Sequence, residues 1–119
     1  MTETTFQRKV MAELKKVSKP YKISDRFRAG IIDIITCYRG IYIALELKVE
    51  PNKATPLQEY EIEEIRNHKG SAFVVTLLKN GTIKILDGIS EYKSTNLKES
   101  IQWLLEQSCS NIRKNLSKM

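Results

Sequence analysis

The sequence predicts an α/β fold in which a mixed central β-sheet is flanked by α-helices. The expected element order is helix, strand, strand, helix, strand, strand, helix, and the middle helix can cross over the sheet to connect parallel strands. Arg39-Gly40 and Asn80-Gly81 are turn signals that each lie between two apolar runs, so each predicts an antiparallel hairpin.

The first helix is predicted over residues 2–17 because apolar residues recur there at helical spacing. Thr2 suits the N-cap, and Pro20 ends the helix because the residue before a proline avoids helical dihedral angles. The polar, basic stretch over residues 21–29 is expected to approach the sheet irregularly, with room for one short strand.

The first hairpin is predicted to pair residues 31–38 with residues 41–49. Gly40 at the second turn position suits a type I′ turn, which Tyr38 and Ile41 close. The second strand alternates between aliphatic and other residues, and this pattern is typical of a strand with one buried face.

The middle helix has a strong start signal in Thr55, Pro56 and Gln58. Threonine suits the N-cap, proline the first helical position, and glutamine the third position of a capping box. The helix is expected to run to about His68, with Gly70 as the residue just past its C-cap. Strands over residues 72–78 and 82–86 follow.

The final helix is predicted over residues 96–116, after a connecting stretch over 87–95. Trp103, Leu104 and Leu105 widen its apolar stripe. That stripe either contacts a partner or covers the sheet of its own chain.

The composition of the chain bounds its class and its partners. Its 119 residues, 41% of them hydrophobic, fit a single domain over residues 1–119. The formal net charge of +6 favours a polyanionic partner such as nucleic acid. Cys37 and Cys109 lack metal-ligand spacing, and no signal peptide or membrane-spanning run is found, so an intracellular protein without a membrane partner is expected.

Two carboxylates are expected to meet within the first hairpin. Counting back from the closing pair places Asp33 opposite Glu46, where the Cβ atoms of paired residues lie roughly 5 Å apart. Like charges repel there, and burial among aliphatic residues raises the cost, so a divalent cation with oxygen ligands is expected between them. Lys48 projects from the same strand face. The set predicts metal-assisted attack on a phosphodiester.

Other kinds of hydrolytic site are disfavoured. His68 is the only histidine, and its place near a helix C-terminus suits a contact with the helix dipole. A nucleophile–histidine arrangement cannot be built without it. No glycine-rich phosphate loop is present, so a nucleotide cofactor is not expected.

The motifs resemble the VRR-NUC branch of the PD-(D/E)XK nuclease superfamily over residues 3 to about 78. They are Glu3 with Gln7, Gly30-x-x-Asp33, Glu46-x-Lys48 and Lys53-x-Thr55-Pro56-x-Gln58. Ile32 departs from the pattern, because similar members usually carry proline before the aspartate. The helix over residues 96–116 lies outside the recognised region.

The resemblance implies a restriction-endonuclease-like fold and a Mg²⁺-dependent endonuclease that hydrolyses DNA, with Mn²⁺ as a substitute. Small stand-alone members look like homodimers that cut branched DNA, similar to Holliday junction resolvases. A homodimer acting on branched DNA is therefore expected.

The residue roles follow from this chemistry. Asp33 and Glu46 would hold the metal, with the backbone carbonyl of Leu47 as a further ligand. Lys48 would orient or help deprotonate the attacking water and add positive charge beside the phosphate. The resemblance further implies that Gln58 orients the lysine or the water, and that Glu3 completes the metal shell directly or through water.

Several of these residues have a structural alternative. Gln58 can act only as the capping-box partner of Thr55. Glu3 can simply complement the dipole of the first helix. Gln7 can be a solvated helix position rather than part of the DNA cleft.

Basic residues near the hairpin are expected to grip DNA phosphates, and Arg28, Arg26 and Lys53 are the leading candidates. The alternatives to an endonuclease are a non-catalytic DNA-binding module and a structural subunit that retains the nuclease fold.

Overall fold

The computed structural model describes residues 1–23 and 32–117, with side chains described as far as residue 111. The elements in chain order are α1 (Glu3–Lys15), β1 (Lys19–Lys22), β2 (Ile34–Tyr38), β3 (Ile41–Val49), α2 (Pro56–Asn67), β4 (Ser71–Leu77), β5 (Ile83–Leu86), β6 (Glu91–Ser94) and α3 (Leu97–Ser117). The predicted order of helices and strands is confirmed, with β1 and β6 as additional short strands. Every helix of the described chain is too short or too polar to cross a bilayer.

Six strands of the described chain form one sheet in the order β1-β2-β3-β4-β5-β6. β3 and β4 are parallel, and every other neighbouring pair is antiparallel. The parallel pair exists because α2 carries the chain back across the sheet between these two strands. The mixed sheet predicted from the element order is therefore confirmed.

The β2–β3 hairpin has the predicted register. Tyr38 pairs with Ile41, and Ile35 pairs with Ala44. The turn residue Arg39 has a φ of 51° and the following Gly40 a φ of 80°, and a type I′ turn requires positive φ at both positions. The turn therefore sets the register that brings the site residues together.

The larger core lies on the sheet face that α1 and α3 cover. Helix residues in this core are Phe6, Val10, Leu14, Ile101, Leu104 and Leu105. The ring of Trp103 stacks on Tyr92 with centroids 4.7 Å apart and meets Phe73 edge-on at 6.5 Å. Up to residue 111, the apolar stripe of α3 therefore covers its own sheet, which is one of the two alternatives that the sequence left open.

The opposite face is covered by α2 and holds a smaller core. Its buried members are Ile32, Ala44, Ile62 and Ala72. The same face also buries charge, since Glu46 is fully buried and Lys48 is only 9% exposed. The face that carries the small core therefore also carries a buried polar site.

The end of α2 differs from the prediction. His68 is the C-cap, and Lys69 takes the left-handed conformation just past it with a φ of 69°. Gly70 follows, and its backbone N–H donates to the Ile65 carbonyl at 2.9 Å. A Cβ at Gly70 would lie 2.7 Å from Cγ2 of Ile65, so the glycine is required by this close approach and not by a positive φ.

The stretch over residues 87–95 also differs from the prediction, because it contains β6. This short strand is polar, and its exposed and half-buried residues alternate as it pairs with β5. Four residues carry too little periodicity to predict a strand, and the pairing with β5 decides it.

Candidate active site

Glu46 carries a fully buried carboxylate on β3. Its Oε1 accepts a 2.8 Å hydrogen bond from Nε2 of Gln58 and lies 3.8 Å from Nζ of Lys48. Its Oε2 has no hydrogen-bond partner within the described part of the chain. Burial raises the pKa of Glu46 to about 8, with a further upward contribution from Asp33 and an opposing one from Lys48. One buried oxygen is therefore left for a proton or a cation.

Asp33 lies where β2 leaves its regular pairing with β3. Leu45 is the ladder partner of Ile34, yet its carbonyl also accepts the backbone N–H of Asp33 at 3.1 Å. The Asp33 side chain then acts in place of a backbone acceptor, because its Oδ2 accepts the Leu47 N–H at 2.8 Å. Asp33 is therefore not paired with Glu46 in the strand ladder, although the sequence predicted this pairing. Its side chain nevertheless extends close enough to Glu46 to raise the pKa of that carboxyl group.

Lys48 lies between carboxylates from two different elements. Its Nζ is 3.8 Å from Oε1 of Glu46 and 4.0 Å from Oε1 of Glu3. Glu3 belongs to the first turn of α1, and its Oε1 also accepts from Nδ2 of Asn52 at 3.4 Å. The sequence analysis missed Asn52, for which the available signal was its place in the loop between β3 and α2.

Gln58 forms the capping box with Thr55 that the sequence offered as its structural role, and it also contacts Glu46, whereas its predicted role in orienting the lysine or the water stays a prediction. Its Oε1 accepts the Thr55 N–H at 2.9 Å, while the Thr55 hydroxyl accepts the Gln58 N–H at 3.2 Å, and together these bonds form the capping box. Its Nε2 simultaneously donates to Glu46. The start of α2 therefore aims one end of the amide at the buried carboxylate.

The predicted DNA-contact residues are more scattered. Arg26 and Arg28 lie outside the described residues. Lys53 is exposed in the loop before α2, and Gln7 is half-buried on α1 without a hydrogen bond to the carboxylates in the described part of the chain. The residues that the structure does bring together are Glu3, Asp33, Glu46, Lys48 and Gln58.

This donor set fits a hard divalent cation. Within residues 1–23 and 32–117, no three His, Cys, Asp or Glu side chains form a metal-binding group by themselves. Mg²⁺ keeps several waters and needs only one or two carboxylates, so the pair of Asp33 and Glu46 suffices. The unpartnered Oε2 of Glu46 is a buried oxygen that could coordinate such an ion. Leu47 directs its N–H toward Asp33, and strand geometry directs its carbonyl to the same side.

Comparison with known proteins gives a match in structure only. No family model matches the chain, and no curated protein sequence matches it. Among 17 matching chains of solved structures is Hjc from Archaeoglobus fulgidus, a Holliday junction resolvase from an archaeal hyperthermophile. The two chains are 17% identical with a TM-score of 0.56, over 76% of this chain and 86% of that chain.

The chain has a restriction-endonuclease-like fold. This confirms the fold class expected from the motifs. At 17% identity the likeness establishes the fold alone, and the VRR-NUC assignment stays a prediction that depends on those motifs.

Proposed function

We propose that this protein is a Mg²⁺-dependent endonuclease of the VRR-NUC type that hydrolyses DNA phosphodiester bonds and prefers branched DNA such as Holliday junctions. The observation that carries the proposal is the buried Glu46 carboxylate, whose unpartnered oxygen lies in a site shared with Asp33 and Lys48. The fold supports it, because Hjc shares that fold and is a Holliday junction resolvase. Mn²⁺ is the expected substitute ion.

The carboxylates of Asp33 and Glu46 would hold the ion, together with the Leu47 carbonyl and, directly or through water, Glu3. When bound, the ion supplies a water of lowered pKa and offsets negative charge on the phosphate. Because Glu46 has a pKa of about 8 without an ion, it must lose its proton to act as a ligand.

The remaining residues orient and stabilise. Gln58 occupies Oε1 of Glu46 with its amide, which fixes the rotamer of the carboxylate and leaves Oε2 open. Lys48 would place its ammonium beside the reacting phosphate, where it orients the attacking water and offsets developing charge. The nearby carboxylate of Glu3 helps to hold this lysine in position.

A homodimer is the proposed assembly, because two sites in fixed relation can cut two strands of a junction. Up to residue 111, the apolar side chains of α3 pack in the core of their own chain, so the contact between subunits is proposed on another surface.

The test is a cleavage panel of four-way, flap, single-stranded and linear duplex DNA with Mg²⁺, Mn²⁺ or a chelator. We expect divalent-dependent cleavage that is fastest on the four-way junction. Asp33→Asn, Glu46→Gln and Lys48→Ala should each abolish cutting while preserving the fold and most DNA affinity. Glu99→Gln, an exposed change on α3, is the matched control.

Two outcomes would overturn this assignment. Cleavage by Glu46→Gln at the parent rate would show that the site lies elsewhere. DNA binding without cleavage under any metal condition would favour the non-catalytic DNA-binding module instead.

A further inference from the structure

One row of the sheet carries lysine on three of its strands. The register pairs Lys48 of β3 with Thr76 of β4, and Thr76 with Lys84 of β5. Lys84 pairs in turn with Lys93 of β6. Directly paired residues project from the same face of a sheet, so these four side chains form one row, here named the lysine row.

The lysine row lies on the face that α2 covers. Val74, two residues before Thr76, packs in the core beneath α2. Val75 and Ile85 alternate with the lysine row and fill the opposite core beneath α1 and α3. Lys84 therefore projects away from the α1 and α3 core, on the same face as the candidate active site.

This part of the face is open. A cavity of about 530 Å³ separates α2 from β5 and β6, and its lining includes Ile62, Leu86 and Glu91. Lys93 is exposed and Lys84 is half-buried. The helix α2 therefore leaves β5 and β6 accessible on this side.

The charges of the lysine row are available to a ligand. Lys84 forms no ion pair within the described residues, whereas Nζ of Lys93 lies 3.4 Å from Oε1 of Glu91. Both partners of that pair are about half exposed, and such surface pairs contribute little to stability, so a phosphate can replace the carboxylate. Glu59, Glu63 and Glu91 line the neighbouring cavity together with Arg66, which leaves an excess of negative charge there. A polyanion is therefore attracted along the lysine row and repelled from the cavity.

We propose that Thr76, Lys84 and Lys93 form a phosphate-binding track that holds one arm of the DNA as it leaves the candidate active site at Lys48. This inference rests on the proposed function, because the occupant is the DNA substrate. Neighbouring strands lie about 4.8 Å apart, which places Lys84 and Lys93 about 10 and 14 Å from Lys48.

The spacing suits a duplex arm. Each strand of a duplex advances about 3.4 Å along the helix axis per nucleotide, so a row about 14 Å long spans phosphates within about four nucleotides of the one at Lys48. Flexible lysines contact phosphates as point charges and do not read bases. The track therefore positions an arm without imposing a sequence preference.

The test is the salt dependence of four-way junction binding by Lys84→Gln/Lys93→Gln, made in the Glu46→Gln background with chelator present. We expect roughly tenfold weaker binding and a decrease of about 2 in the slope of log K against log salt, about one for each lost phosphate contact. Lys15→Gln/Lys98→Gln is the matched control, because it removes the same charge from exposed positions on α1 and α3, on the opposite side of the sheet.

A second variant tests the lysine row in the opposite direction. Glu91→Gln removes the carboxylate that pairs with Lys93 and should tighten junction binding by about two- to threefold. A loss of folding cannot produce this gain. Unchanged affinity in Glu91→Gln, or an affinity and slope in Lys84→Gln/Lys93→Gln equal to those of the control, would overturn the track.

Cleavage by the parent protein in Mg²⁺ separates this inference from the proposed function. If the parent cuts junctions while the lysine-row variant binds like its control, only the track is wrong. If the parent never cuts but binding depends on the lysine row, the nuclease proposal is wrong and the track remains.

Discussion

Glu46 on β3 and Asp87 just after β5 are both buried carboxylates, but the groups around them shift their pKa values in opposite directions. Oδ1 of Asp87 accepts the backbone N–H groups of Ile89 at 2.8 Å and Ser90 at 2.6 Å, and Oδ2 accepts Nε2 of Gln107 at 3.2 Å. Burial acts to raise the pKa of Asp87, but these hydrogen bonds lower it by more, so its pKa lies below the ordinary value.

Glu46 has the opposite balance. It receives one hydrogen bond, keeps one unpartnered oxygen within the described chain, and has a pKa raised to about 8 by burial and by Asp33. The charge of Asp87 is stabilised where it stands, which is typical of a residue that holds a turn. Lys48 offsets the charge of Glu46 only in part, so a further cation would stabilise it, which is typical of a residue kept for binding or chemistry.

The largest expected effect comes from removing each charge in turn. Glu46→Gln should lower Mg²⁺-dependent cleavage by at least about a thousandfold. Asp87→Asn should cleave at a rate within a few-fold of the parent rate. Its free energy of unfolding should fall by about 1–3 kcal/mol, because the turn loses charge-assisted hydrogen bonds. Single-turnover cleavage of a four-way junction and urea unfolding measure the two quantities. A folded Asp87→Asn that has lost cleavage would break the comparison.

The next effect concerns the one hydrogen bond that Glu46 receives. Gln58→Leu should lower cleavage by about 10- to 100-fold, as is usual when the residue that orients a metal ligand is removed. Thr55→Ala is the control, because it removes the other half of the capping box without touching Glu46. Both variants should lose about 1 kcal/mol of stability. Equal cleavage by the two variants would show that Gln58 acts only as a cap.

In metal-free buffer, Glu46 and Asp87 should make the stability of the protein depend on pH in opposite directions. Folded Glu46 keeps its proton up to a pKa of about 8, while the unfolded residue loses it near 4.5, so stability falls as pH rises between these values, by up to about 1.4 kcal/mol per pH unit. Asp87 contributes stability above its unfolded pKa near 3.8 and loses it as pH falls through its lower folded pKa.

Urea unfolding at a series of pH values with chelator present measures this dependence. Glu46→Gln should flatten the loss between pH 4.5 and about 8 and leave the acid side unchanged. A parent protein whose stability does not fall across that window would show that Glu46 is ionised without a cation.

The smallest expected effect comes from reducing the repulsion at Glu46. Above about pH 8, where Glu46 is ionised, Asp33→Asn should raise metal-free stability by about 1 kcal/mol, because the neutral amide oxygen can still accept the Leu47 N–H while the like charge disappears. Asp33→Ala is the contrasting variant, since it removes the charge and the hydrogen bond together and should not be stabilised. Thermal unfolding in chelator compares them, and the absence of any gain in Asp33→Asn would argue against repulsion.

Short-range chemistry in the sequence was enough to predict part of this arrangement. The turn signal Arg39-Gly40 predicted the hairpin register, which the structure confirms, and the two-residue period of β3 then put Glu46 and Lys48 on one face. Thr55 and Gln58 predicted the start of α2. A turn, a cap and a strand period each depend on a few neighbouring residues, so they can be read without knowing the rest of the fold.

Packing between distant segments decided the remainder. The contact between Glu3 and Lys48 joins α1 to β3, and the departure of Asp33 from its ladder depends on where its side chain meets Leu47. β6 and the lysine row exist only because the strands lie side by side in one particular order. Periodicity and capping predict which face a residue takes within its own element, but the reach of a side chain and the burial of a charge depend on which elements the folded chain brings next to it.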